Sequence, residues 1–194
     1  MLSPFRSKTG RNQPSNQKFV YGPAKWVRHL IKPERGMALA YVDYEQQEFA
    51  IGARLSGDKA MQEAYLSGDP YLSFGKQAKS IPQNATKDSH PKERAQFKTC
   101  ALGVLFGLTG EGMARKLGMS PEGGRQLLRL HKNCFPDFWR WNRDVVSNAL
   151  VRMEMKTVLG WRMYVHPRFD LKDRNKERTL ANFPLQANGS DMLR

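Results

Sequence analysis

The sequence predicts an α+β fold on three observations. Helical patterning runs almost unbroken through the middle of the chain, a short apolar β-type run precedes it, and a hairpin pattern follows it. At 194 residues one domain is the default, and 40% hydrophobic residues can fill its core. A folded chain of this size buries roughly 70% of the surface its unfolded form exposes. No run approaches the roughly 20 apolar residues of a membrane span, and the start, MLSPFRSKTGR, lacks a secretory apolar stretch, so a soluble intracellular protein is expected. Cys100 and Cys134 lack CxxC spacing, which argues against a disulfide framework or a zinc site.

Residues 1–25 mix Pro4, Gly10, Pro14, Gly22 and Pro23 with polar and basic residues and predict an extended, loop-like lead-in. Residues 37–43, MALAYVD, predict a buried strand ending at Asp43, and residues 45–55 a helix that stops at Ser56-Gly57-Asp58. Short helices follow at 59–66 and 71–79, then a polar stretch with Pro82, Asn84 and Pro91. The longest of this group spans 92–106. Thr109, and Ser120 followed by Pro121 and Glu122, mark helix starts, and 138–153 continues the helical middle. MKTVLGWRMYVH predicts a hairpin turning near Gly160. Residues 176–194 are helical in pattern, with a kink or break expected at Pro184. There is no internal repeat and no low-complexity tract.

The net charge of +14 is unevenly distributed. Residues 1–35 hold eight cations and one anion, 36–75 two and six, 76–134 eleven and four, and 135–194 eleven and seven. An acidic island in a basic chain suits a protein that neutralises phosphates over one surface and keeps carboxylates for a local task. Nucleic acid is therefore the leading partner, with solubilisation by basic residues as the plainer alternative.

Three places could carry chemistry. Asp43, followed by Glu45 and Glu48, stands at a predicted strand end, where a fixed carboxylate can hold Mg²⁺ while waters and substrate phosphates complete its shell; equally, it could cap the next helix. Arg94, Lys98 and Leu102 recur every fourth residue, with Phe106 one step further. Such a stripe can grip a polyphosphate at its cationic end and stack a base at its aromatic end, or it can be an amphipathic helix with its cations in water. Asn182 and Gln186, four apart, suit the acceptors of a DNA minor groove, or form a local helix-surface pair.

Taken in order, these segments resemble family A DNA polymerases, the DNA polymerase I group. TGR at 9–11 and PSN at 14–16 look like the family's TGRLSS…PNLQN segment, and VRHLIKPERG like its approach to the first catalytic strand. VDYEQQE resembles motif A, KERAQFKTCALGVLFG motif B, and ERTLANFPLQANGSDMLR the family's ER-x-A-x-N-x-PIQGTAAD; GDPYLSFGKQA stands in the place of its GDxH segment. The matches run from Thr9 to Arg194.

The resemblance implies a partial polymerase palm, with a small antiparallel sheet, and a mostly helical fingers region. Residues 1–58 would lead into the palm and carry motif A, 59–135 would form the fingers with the motif B helix, and 136–194 would return to the palm, ending before motif C. The implied activity is DNA-directed DNA polymerisation, dNTP addition to a primer 3′-OH by two-metal phosphoryl transfer, in replication or repair. Asp43 would be the catalytic metal-binding acid for Mg²⁺ and Glu48 the gate against a ribose 2′-OH. Arg94 and Lys98 would hold the triphosphate. Gln46, Leu102 and Phe106 would line the nucleotide site, and Arg11, Arg28, Asn182 and Gln186 would contact primer-template DNA.

A monomer in a bacterial, phage or plasmid context, cytoplasmic and away from membranes, is expected. The sequence departs from the family at Glu45 for Ser, Ala50 for Arg, Tyr71 for His, Leu102 for Phe or Tyr, Phe106 for Tyr, and QANGS for QGTAA. None of His29, His90, His131 and His166 precedes an Asp, so the second carboxylate of an HDE motif is not in this chain, and the piece alone is expected not to extend primers. The rivals are a single-subunit RNA polymerase relative, which Glu48 speaks against, and a non-catalytic basic DNA-binding remnant. A metal-dependent nuclease would need a larger cluster of acids.

Overall fold

The computed structural model describes residues 2–3, 7–11, 13–14, 25–40, 42–167 and 173–193. Most of the loop-like first 25 residues, Asn16 of the PSN match, and Arg194 lie outside them. Near the start, β1 (Leu2–Ser3) pairs antiparallel with β2 (Gln13–Pro14), and a 3-10 turn covers Lys25–Leu30.

Eight helices follow among the described residues: α1 (Gln47–Ser56), α2 (Lys59–Leu66), α3 (Pro70–Gln77), α4 (Pro91–Leu105), α5 (Gly110–Leu117), α6 (Pro121–Cys134), α7 (Pro136–Arg152) and α8 (Arg174–Met192). Between α7 and α8, β3 (Glu154–Lys156) and β4 (Arg162–Tyr164) form the expected hairpin, with Met155 opposite Met163 and Gly160 in the turn at φ 101°. This mostly helical chain with two small antiparallel sheets among the described residues is the α+β class that the sequence predicts. None of the described helices is long and apolar enough to cross a membrane.

The helix starts are set by short polar side chains, as predicted. Thr109 Oγ1 accepts from Gly112 N at 3.2 Å and Ser120 Oγ from Gly123 N at 3.1 Å, each satisfying an amide that has no partner within its own helix. Asp58 does more. Its Oδ1 caps α2 by accepting from Met61 N at 3.0 Å, while its Oδ2 accepts from Asp137 N and Phe138 N, both at 3.1 Å, at the start of α7. One buried carboxylate therefore ties together two helix N-termini, where the backbone dipoles favour negative charge.

The main core gathers Phe49 of α1, Met61 of α2, Phe74 of α3, Phe97 and Leu105 of α4, Met113 of α5, and Phe135 and Phe138 around α7. His131 of α6 is fully buried there, its ring edge-on to Phe74 at 5.2 Å and to Phe135 at 4.9 Å. Helices α5 and α6 pack so closely that a Cβ on Gly124 would lie 2.2 Å from the carbonyl oxygen of Gly110, so only glycine fits. A second, smaller core joins Ala149, Met155, Met163, Leu180 and Phe183, and seats α8 on α7 and the hairpin.

Two expectations are corrected. Residues 37–43 form no strand in their described positions, and Met37, Leu39 and Val42 are exposed rather than buried. A strand needs a neighbour to take its amides and carbonyls, and among the described residues none pairs with this run. Of the kink or break expected at Pro184, the break is absent, because α8 continues through the proline. Leu180, Phe183, Leu185 and Ala187 are all buried around the proline, so packing on both sides holds the helix across the missing amide.

Candidate nucleotide and DNA site

A turn and the start of α1 build one wall of a cleft of about 750 Å³. Ahead of α1, Gln46 adopts a left-handed conformation, φ 53° and ψ 37°, which costs a non-glycine residue roughly 1–2 kcal/mol. Its carbonyl accepts from Phe49 N at 3.0 Å and Ala50 N at 3.1 Å, so the helix starts directly from the turn. Asp43, Glu45, Gln46 and Glu48 all line the cleft as a result. Asp43 is exposed and has no hydrogen bond or ion pair among the described residues.

The opposite wall is α4. Arg94, Lys98 and Leu102 line the cleft together, as their fourfold spacing predicts. Phe106 does not join them: it caps α4 outside the cleft lining, because the helix ends at Leu105 and the stripe runs out. Its carbonyl instead accepts from Arg178 of α8, Nη2 at 3.0 Å and Nε at 3.3 Å. Gly107, at φ 69°, leaves room for that side chain, since a Cβ there would lie 2.9 Å from Arg178 Cγ.

The floor between these walls comes from α3, where Tyr71 is nearly buried. The guanidinium carbon of Arg94 lies 5.6 Å, and Lys98 Nζ 5.8 Å, from the Tyr71 ring centre. Burial pushes the Tyr71 phenol above its ordinary pKa, against the lowering effect of Arg94, with Asp69, Glu48 and Glu45 adding to the rise. Arg94 Nε donates to Asp69 Oδ2 at 2.5 Å, and Asp69 Oδ1 caps α3 by accepting from Leu72 N at 3.1 Å. Lys98 has no hydrogen bond or ion pair among the described residues.

Arg11 enters the same cleft, where it forms an ion pair with Glu48. It is held there by the hairpin: Trp161 Nε1 donates to the Lys8 carbonyl at 3.0 Å. The hairpin in turn is tied to α8 by Thr157 Oγ1 on Asp191 and by Val158 N on Asn188 Oδ1 at 2.9 Å. Gln47 Nε2 joins α1 to α8 through the Gly189 carbonyl at 3.0 Å. Asn182 and Gln186 lie elsewhere, in a separate groove with Ser7, Lys8 and Thr9, so Arg11 lines the first cleft and this amide pair a neighbouring one. Arg28 is exposed on the 3-10 turn and lines neither.

Chemically the cleft sets cations on one wall against carboxylates on the other. That arrangement can take a polyphosphate along α4 and a hard cation at the acidic edge. Among the described residues no group of three or more His, Cys, Asp or Glu side chains is placed to hold a metal on its own. The donor set fits a cation that takes a single carboxylate here, Asp43, and completes its shell with water and substrate oxygens. Sequence reasoning missed Asp69 and the use of the Tyr71 ring. The Asp-Pro start of α3 was a legible cap signal, but its partner Arg94 is 25 residues away.

The model of DNA polymerase family A matches residues 12–194 of the chain. The chain is 31% identical over 161 residues to DNA polymerase I of Mycobacterium leprae, covering 80% of this chain and 17% of that protein. It is 26% identical over 194 residues to the DNA polymerase of Mycobacterium phage D29, covering 98% of this chain and 30% of the phage protein. Among solved structures it is similar to the POL domain of Pol1 from M. smegmatis in complex with DNA primer-template and dNTP. The TM-score is 0.77 at 26% identity, over 99% of this chain and 35% of that one. The chain thus spans 17% to 30% of the length of these two curated relatives.

Proposed function

Because this chain belongs to DNA polymerase family A, we propose that its cleft receives a deoxynucleoside triphosphate beside the primer end of a DNA template and contributes to template-directed DNA synthesis in replication or repair. The observation that carries the reading is the meeting of Asp43, Glu48, Arg94, Lys98 and Leu102, drawn from two distant segments, around one cleft. The M. smegmatis neighbour, whose POL domain is in complex with DNA primer-template and dNTP, supports the choice of ligands. Bacterial and phage relatives support a cytoplasmic setting.

In this reading Lys98 and Arg94 bind the triphosphate and stabilise the charge that grows on the leaving pyrophosphate as the primer 3′-OH attacks the α-phosphate in line. Leu102 offers an apolar surface to the nucleotide, and Glu48, with Gln46 beside it, crowds the sugar where a 2′-OH would sit. Asp43 would hold Mg²⁺, which when bound supplies Lewis-acid activation of the reacting oxygens. Arg11, Asn182 and Gln186 face the primer-template, whereas Arg28 and Phe106, outside both grooves, take no part in holding the nucleotide. Residues 1–58 act as the palm entry with motif A, 59–135 as the fingers and 136–194 as the return from fingers to palm.

The test is equilibrium binding of a dNTP to the chain with primer-template present. A charge-assisted phosphate contact is worth about 1.5–3 kcal/mol, so Lys98→Ala weakens dNTP affinity about ten- to a hundredfold. Unchanged dNTP affinity in Lys98→Ala would overturn the reading.

A further inference from the structure

We propose that the cap and first turn of α3 are the positioning element of the phosphate-binding wall: Asp69 and Tyr71 hold Arg94 and Lys98 in the orientation that receives a polyphosphate. The inference rests on the polymerase reading of the cleft and adds to it two residues that act through the cations.

Asp69 divides its carboxylate between two tasks. Oδ1 accepts from Leu72 N at 3.1 Å, which fixes the side chain to the α3 backbone, and Oδ2 accepts from Arg94 Nε at 2.5 Å. Arg94 is therefore referenced to a rigid helix and not only to its own flexible stem. Nε is the nitrogen used, and Nη1 and Nη2 have no hydrogen bond among the described residues. A guanidinium anchored in this way keeps a two-nitrogen edge to offer to phosphate oxygens, whereas one gripped by both Nη groups would have to be released first.

Tyr71 fixes the second coordinate. Its ring, only 3% exposed, is held edge-on by Phe49 at 6.4 Å. Both cations lie within the roughly 6 Å over which a ring face attracts positive charge. Lys98 has a long flexible stem and no other partner among the described residues, so the ring is what narrows its range before a ligand arrives. Cations already ordered lose less freedom on binding.

The sign of the Asp69 effect separates positioning from plain electrostatics. Removing a carboxylate beside a phosphate site should tighten anion binding if charge alone matters. Asp69→Ser keeps an effective cap for α3 but is too short to reach Arg94 as well. The experiment measures affinity of the full 194-residue chain for a dNTP and for inorganic tripolyphosphate, which lacks base and sugar.

Asp69→Ser is expected to weaken both about fivefold, with an unchanged melting temperature, and to have no further effect in an Arg94→Ala background. Tyr71→Phe should bind like the parent and Tyr71→Leu about fivefold more weakly, because the ring and not the hydroxyl does the positioning. Equal or tighter binding by Asp69→Ser overturns the inference, whether or not Tyr71→Leu folds, and Tyr71→Phe falling as far as Tyr71→Leu overturns the role given to the ring. If Lys98→Ala lowers affinity while Asp69→Ser does not, the inference fails and the polymerase reading stands. If Lys98→Ala binds as well as the parent, both fail together.

Discussion

Mild acid should weaken this fold through His131. The imidazole is fully buried among Phe74, Phe135, Phe138 and Trp139, and burial lowers its pKa from 6.5 to about 3. Trp139 Nε1, a donor only, points at Nδ1 at 3.1 Å, so the neutral ring carries its proton on Nε2, which has no protein partner. Protonation would place a charge among aromatic rings and turn the Trp139 contact into a clash of donors. The unfolded chain takes up the proton first, because its histidine titrates near 6.5. The stabilising difference is therefore complete above that pH and lost as pH falls from 6.5 toward about 3.

The linkage relation gives a loss of about 2 kcal/mol between pH 7 and pH 5 from this one group. For a chain of this size that is a fall of about 4–8 °C in melting temperature. The assay is urea unfolding at both pH values for the parent and for His131→Phe, which keeps the volume and removes the titration. Carboxylates protonate in both proteins, so the difference between the two isolates His131. Equal losses in parent and variant would refute the argument.

Asp58→Ala removes the acceptor of three backbone amides at the starts of α2 and α7, and should cost about 3 kcal/mol in urea unfolding, with Asp58→Asn intermediate. A loss near zero would mean that water replaces the carboxylate without penalty. Burial pushes the Cys100 thiol up to about 12, so at pH 8 an aromatic disulfide reagent should label Cys134 in the folded chain and reach Cys100 only after unfolding. Rapid labelling of both in the native state would contradict the placement of Cys100.

The local signals in this sequence were sufficient for the helices. Ser120 with Pro121, Thr109, and the Ser-Gly-Asp break before α2 each specify a boundary through bonds that span only a few residues. The fourfold spacing of Arg94, Lys98 and Leu102 likewise placed three cleft residues on one face, since helical period alone decides that. What depended on distant partners was not legible. The run at 37–43 has the composition of a strand, but a strand exists only with a neighbour, and none pairs with it among the described residues. Pro184 should interrupt an isolated helix, yet burial of Phe183 and Leu185 carries α8 through it. The pairing of Arg11 with Glu48, and the hold of Asp69 and Tyr71 on the α4 cations, follow from packing α1, α3 and α4 around one core. Sequence alone determined which residues could carry the chemistry, because charge and period are local. Tertiary structure decided which of them meet, because contacts between residues far apart in the chain depend on how the helices pack.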